Sequence, residues 1–291
     1  MSFADASTHA RVVNAVRDLG RIMATPAHIG WLKKTGTITT AEGQIVEVWD
    51  LDHKTDNAVL SEWARHFRQH YCKDEDLADA IEGTIYTNAT YLASVKFPDP
   101  AVAPGPGTRS GDFGEILLAD FAEFVMGYWC PREGRYENRD NRNVPSNGCD
   151  VVAFKFYGDD PVHPKDELLL IESKAGLRAK NTNRLQNAVE DSIKDITREA
   201  MSLNAIKQRL NRTDRPAAKR VQRFQDHNDR PFKRVNAAGA VLDREVFDSI
   251  DFTTTLAKHH PNIDNLKLLI IRGTSMMDLV RALYDRAANE A

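Results

Sequence analysis

The chain has no hydrophobic run of membrane-spanning length and no basic N-terminal segment leading into an apolar one, which predicts a cytoplasmic protein. Its three cysteines, Cys72, Cys130 and Cys149, form no CxxC pair and have no histidine at zinc spacing. That excludes a disulfide framework and a structural zinc site and leaves them as small buried side chains. Cys149 adjoins Asp150, yet no base is recognisable near it, so thiol catalysis has no support. A phosphate loop is also missing. The glycines of residues 97 to 111 (FPDPAVAPGPGTRSG) are followed by no Gly-Lys-Ser/Thr and preceded by no strong apolar strand. Charge of one sign is lacking too: the formal net charge is -3, which argues neither for nor against nucleic acid and moves that question to local distribution.

What is present suits a full-sized core. Hydrophobic residues make up 42% and charged residues 28% of 291 positions, which excludes global disorder and allows one large domain or one medium domain with an accessory region.

Chemistry concentrates around Asp150 and Glu172-Ser173-Lys174. Residues 150 to 157 (DVVAFKFY) read as a strand, and residues 167 to 174 (ELLLIESK) form an apolar run that turns abruptly ionic. The intervening GDDPVHPK is a turn-rich connector, so the pair is expected to be an antiparallel hairpin. Asp150 then falls opposite or diagonal to Glu172 and Lys174, within the roughly 4.5 to 8 Å of cross-strand neighbours, with all three on one face. Lone charges beside a buried strand are costly. Two readings stand. A divalent cation would take the two carboxylates, with the Ser173 carbonyl as a further ligand, beside a lysine placed to offset phosphate charge. The alternative is an internal ion pair of Lys174 with Asp150 or Glu172.

Around this centre, residues 8 to 23 carry apolar positions at helical spacing, and TGTITT and QIVEVWDL form an expected hairpin. Residues 56 to 70 read as an Asp-capped helix, 74 to 83 as another, and Trp31, Trp49, Trp63 and Phe67 as core. The Pro/Gly-rich stretch marks the expected boundary between an N-terminal accessory region, residues 1–96, and a second domain, residues 97–291.

The helix DFGEILLADFAEFVMGYW follows. Glu115 is there either the partner of an Asp112 cap or, on the Leu118, Ala119 and Ala122 stripe, a third acid pushed towards the core. RYENRDNRNVP offers a short strand and a polar loop. A helix is expected from about Arg184 to Leu210, with Gln186 and Glu190 on one face, either solvated or site residues.

The stretch from Lys207 to Arg234 is rich in cations: Arg209, Arg212, Arg215, Lys219, Arg220, Arg223, Lys233 and Arg234, with Phe224, His227 and Phe232 interleaved. It is either a solvated face or a grip on nucleic-acid phosphate. His259-His260 is expected to be loop. A strand (LKLLIIRG) and an amphipathic helix (SMMDLVRALYDRAANE) close the chain.

From residue 112 the order is helix, short strand, strand, strand, helix, basic insertion, strand, helix. With Glu115 on the first helix, Gly148-x-Asp150 on the second strand and Glu172-x-Lys174 on the third, about residues 108 to 291 resemble the PD-(D/E)xK nuclease superfamily. Gly-x-Asp stands where the superfamily's name has Pro-Asp. At finer grain, RSGDFGEILLADF, NGCDVVAFKF and LLLIESKAGL resemble the HamA family, the nuclease subunit of the Hachiman antiphage defence system.

The resemblance implies an α/β (α+β mixed sheet) fold, a restriction-endonuclease-like core with an N-terminal α+β accessory region, and Mg2+-dependent cleavage of DNA with Mn2+ as substitute. It places catalysis on Glu115, Asp150, Glu172 and Lys174, and metal binding on the three acids with Ser173. It also implies a superfamily 2 helicase partner, HamB, that restrains the nuclease. The competing readings are a stand-alone restriction or repair endonuclease, disfavoured by the lack of an appended sequence-reading domain, and a catalytically silent nucleic-acid-binding module.

Overall fold

The computed structural model of the protein describes residues 24–132, 134–158, 162–178 and 181–291; the helix expected over residues 8 to 23 lies outside them. Apolar runs and alternations become six strands: β1 (Leu32–Thr39), β2 (Ile45–Leu51), β3 (Val151–Lys155), β4 (Glu167–Gly176), β5 (Lys233–Asp243) and β6 (Leu266–Gly273). They join in one sheet ordered β1-β2-β6-β5-β4-β3. The four inner strands run parallel, while β1 and β3 pair antiparallel at the edges. Parallel strands are covered on both faces, which explains why Leu168, Leu169, Leu170 and Ile171 are all fully buried.

The helices are α1 (Asn57–Arg68), α2 (Leu77–Ile81), α3 (Asn88–Tyr91), α4 (Gly105–Asp120), α5 (Arg184–Ser192), α6 (Asp195–Thr213), α7 (Arg215–Gln222), α8 (Arg244–Asp248) and α9 (Met276–Asn289). As the sequence predicts, Asp56 caps α1 by accepting from the amides of Ala58 and Val59. Odd-numbered residues of β4, such as Leu169 and Ile171, enter a core with Phe67 of α1, Leu117 of α4 and Tyr284 of α9. Even-numbered Leu168 and Leu170 turn to the opposite face, where Leu203 and Ile206 of α6 and Val221 of α7 cover them. Further along that face, Leu185 of α5 and Val246 of α8 pack on Ala240 and Leu242.

Several expectations change. Residues 105 to 111 are helix rather than connector; the first glycine serves close packing, since a Cβ on Gly105 would lie 2.3 Å from the carbonyl oxygen of Asp99. Further along α4, a Cβ on Gly114 would lie 3.2 Å from Ser173 Oγ, so this glycine lets the helix approach β4. The boundary at 96/97 does not separate two cores. Val46 to Asp50 pair in register with Leu268 to Arg272, and α1 shares its buried cluster with α4 and α9. The short strand expected in RYENRDNRNVP is turn and bend, and the helix expected from Arg184 breaks after Ser192 and restarts at Asp195.

Candidate active site

The β3–β4 ladder runs from Lys155↔Glu167 to Val151↔Ile171 and stops there. One edge of β4 is therefore open from Glu172 onward, while β5 pairs its other edge to Gly176. Continuing the register by one residue puts Asp150 opposite Glu172, and Asp150 Oδ2 accepts the Ser173 amide at 2.9 Å. Even-numbered residues of both strands turn towards α6 and α7, so Asp150, Glu172 and Lys174 share a face as the alternation predicts. The approach to Asp150 is set by Gly148, whose φ of +101° favours glycine and whose Cβ position lies 2.8 Å from Ser202 Oγ. Ser202 Oγ in turn accepts the Cys149 amide at 2.9 Å.

Glu115 is not paired with a helix cap. Asp112 lies inside α4, where Arg139 donates to it twice at 2.6 Å and Tyr71 donates at 2.6 Å. Burial pushes Asp112 up to about 6. Glu115 reaches the centre from the side: its Oε2 accepts from Tyr136 at 3.0 Å and from Arg135 Nε and Nη2 at 3.1 and 3.0 Å. The same Arg135 nitrogen lies 3.6 Å from Asp150 Oδ1. A cavity of about 70 Å³ opens among Glu115, Arg135, Tyr136, Asp150 and Arg209.

Burial, then the charges of Glu115 and Glu172, raise Asp150 well above the usual carboxylate range. Lys174 donates to Glu172 Oε1 and lies 2.9 Å from Asp191, so the ion pair forms with Glu172 rather than with Asp150. Burial opposes the lysine's charge, but Asp191 and Glu172 outweigh it and raise its pKa. Glu172 Oε2, Ser173 Oγ and both carboxylate oxygens of Asp195 are buried without a hydrogen-bond partner. Burial and the charge of Glu172 push Asp195 up to about 7. Arg198 Nη1 lies 3.7 Å from Glu172 Oε2 and 3.9 Å from Asp195 Oδ1. Arg135, Tyr136, Asp191, Asp195 and Arg198 were not singled out by the sequence. Their meeting depends on contacts between distant segments that no spacing reports.

The basic stretch divides. Arg223 is 2% exposed and donates to Asp166 at 2.8 Å and to the carbonyls of His163, Arg230 and Pro231, so it holds loops together and does not face nucleic acid. Arg234 pairs with Glu199 at 2.5 and 2.8 Å, Lys233 lies 3.8 Å from Glu167, and Arg220 stacks 3.9 Å over Phe156. Phe224 and Phe232 are core residues, closed to base stacking. Arg209 is half-buried on the cavity wall, with Nη1 3.4 Å from the Gly134 carbonyl. Arg212, Arg215 and Lys219 are exposed. Gln186 bonds Glu190 at 3.0 Å and both backbone groups of Leu256 at 2.7 and 3.3 Å, which fastens a loop. His260 is buried, and all three cysteines are buried and form no disulfide.

A second polar cluster lies beyond Tyr136. His66 of α1, His70 in the turn that follows it and Asp120 of α4 bring three ligand-type atoms within 4.8 Å of one another, a convergence that the oxygens of Glu115, Asp150 and Glu172 do not reach. Arg132 Nη1 already sits among them, 2.5 Å from Asp120 and 3.4 Å from His70, and His28 Nε2 lies 3.1 Å from the other Asp120 oxygen. Burial opposes the Asp120 charge, yet His66 and Arg132 hold it well below the usual range. The cluster supplies its own cation and ties α1 to α4.

The fold and the site define a class: an α/β protein with a mixed sheet of nuclease-like form, bearing two acids and a lysine at the open edge of an inner strand. The HamA family model matches residues 26–287, and the chain belongs to that family, a component of the Hachiman antiphage defence system. No curated protein matches the chain. Among the described residues no helix is long and apolar enough to cross a membrane.

Proposed function

We propose that the protein is a divalent-metal-dependent deoxyribonuclease, the effector of a Hachiman complex, controlled by a superfamily 2 helicase of the HamB type and acting in the cytoplasm. The observation that carries this reading is Asp150 opposite Glu172 at the open edge of β4, with Lys174 two residues on. The donors suit a hard cation. Asp150 and Glu172 offer carboxylate oxygens, and Glu172 Oε2 is a buried oxygen without a partner. The Ser173 carbonyl projects to the same open edge as its amide. These three residues would hold Mg2+, or Mn2+ in its place, and the bound cation would supply Lewis-acid polarisation of a phosphodiester.

The chain's own groups do the rest. Lys174, fixed between Glu172 and Asp191, stands where an ammonium offsets developing phosphate charge and orients the nucleophile. Glu115 supports the centre through Arg135, which also faces Asp150. A second reading, a nucleic-acid-binding module without catalysis, is favoured by one observation: Arg135 and Lys174 already pair with Glu115, Asp150 and Glu172.

Plasmid nicking separates the two. The nuclease reading expects relaxed and linear products with Mg2+ or Mn2+, none with EDTA or with Asp150→Ala, and suppression by a co-purified helicase until DNA and ATP are added. Intact plasmid under every one of these conditions, with DNA still bound, leaves the binding module.

A further inference from the structure

We propose that Asp195 is a ligand of this centre, joining Glu172 Oε2 to hold a second divalent cation on the face of β4 turned towards α6. The proposal rests on the nuclease reading for what the cation does, and on the side chains themselves for where it binds. Among the described residues, three of the four carboxylate oxygens buried without a hydrogen bond lie here: Oε2 of Glu172 and both oxygens of Asp195, a residue with no exposed surface. Buried carboxylates without partners are rare because desolvation costs several kcal/mol unless a hydrogen bond or a cation offsets it.

These oxygens share one neighbourhood. A single nitrogen of Arg198 is 3.7 Å from Glu172 Oε2 and 3.9 Å from Asp195 Oδ1, close enough to attract both and too far to hydrogen-bond either. Its side chain is 36% exposed, so it can yield the space to a smaller cation. Asp195 is also physically tied to the rest of the proposed centre. It opens α6, and Cys149, the residue before Asp150, places its Sγ 4.0 Å from the Asp195 carbonyl. Glu172 thus stands between Asp150 across the hairpin and Asp195 on the helix; with Oε1 taken by Lys174, its Oε2 would bridge the cation held with Asp150 and the one held with Asp195. A hard divalent ion bound by Glu172 Oε2 and the Asp195 carboxylate would offset their burial.

The test counts ions rather than turnover. Calorimetric titration of Mn2+ into the full-length protein, wild type against Asp195→Asn, should show the variant losing one ion or binding it on the order of a hundredfold more weakly. Arg198→Gln should tighten the same ion about tenfold, because a like charge has gone. It provides a separate reading should Asp195→Asn fail to fold. Equal ion counts and affinities in wild type and Asp195→Asn, including no ion in either, overturn the proposal, as does an Arg198→Gln that binds like wild type. Plasmid nicking by the same samples reports the nuclease reading separately: ions bound and lost as expected with no cleavage would overturn that reading and leave the site.

Discussion

Arg135 donates twice to a single oxygen of Glu115, from Nε at 3.1 Å and Nη2 at 3.0 Å. Burial opposes its charge, yet the carboxylate of Glu115 holds the guanidinium above its ordinary pKa. Because Nη2 also faces Asp150 at 3.6 Å, one side chain screens two acids from each other. Arg135→Ala should therefore destabilise the protein by roughly 3–5 kcal/mol, as expected when a buried pair loses one partner. Arg135→Lys should recover part of that, keeping the charge without the fork. Urea denaturation of the three proteins checks the order; a loss under about 1 kcal/mol for the alanine variant would mean the pair is not held in solution.

Asp150→Asn, Glu172→Gln and Lys174→Ala should each abolish cleavage without unfolding the chain. For Asp150 the direction of the stability change follows from its environment. Burial and two neighbouring acids raise its pKa, so ionising it at neutral pH costs folding free energy, and the uncharged amide removes that cost. In EDTA, Asp150→Asn should melt above wild type, whereas with Mn2+ the wild type should gain more. Near wild-type cleavage by any two of the three variants would dismiss the site.

Much of this centre was legible in sequence because its signals are local. Leu168 to Ile171 followed by Glu172 announces an inner strand ending in charge, and eight turn-forming residues before it announce the hairpin that sets Asp150 against Glu172. The start of α4 was hidden by Gly105, Gly107 and Gly111, residues that break isolated helices; at Gly105 the Asp99 backbone leaves no room for a side chain. Strand β2 was legible as half of a hairpin, but its parallel pairing with β6 joins residues over two hundred positions apart. Arg223 looked like its basic neighbours because composition does not report that its side chain turns inward to Asp166.

Mild acid should loosen the joint between α1 and α4. Burial, with Arg132 close by, holds His70 well below its ordinary pKa of 6.5, and burial lowers His28 as well. The groups facing His70 are Arg132, His66, Asp120 and His28. A histidine kept neutral in the fold binds fewer protons than in the unfolded chain below pH 6.5. Stability is thus complete above that pH and is lost as pH falls towards the folded value, at up to about 1.4 kcal/mol per pH unit for each histidine. His70→Gln removes one such group. Its stability deficit relative to wild type at pH 7.5 should shrink by about 1 kcal/mol at pH 5.5; a deficit independent of pH would show that His70 titrates normally.

The exposed cations left in the basic stretch are the candidates for holding nucleic acid. Reversing Arg220 and Arg223 together would confound binding with folding, because Arg223 is buried against Asp166 and three backbone carbonyls. Arg223→Glu alone should leave little folded protein, since it sets a second acid beside Asp166. Arg212, Arg215 and Lys219, exposed on α6 and α7, are free of that difficulty. Their triple reversal to Glu should leave the melting temperature nearly unchanged and weaken binding to unrelated duplexes by similar factors. It should also flatten the plot of log affinity against log salt, by about one unit for each phosphate no longer neutralised. Fluorescence anisotropy on two duplexes of different sequence, at several salt concentrations, measures both effects. Unchanged affinity and slope would make this face a solvated surface or a docking face for the partner protein, and would shift the DNA path to the cavity wall where Arg209 stands.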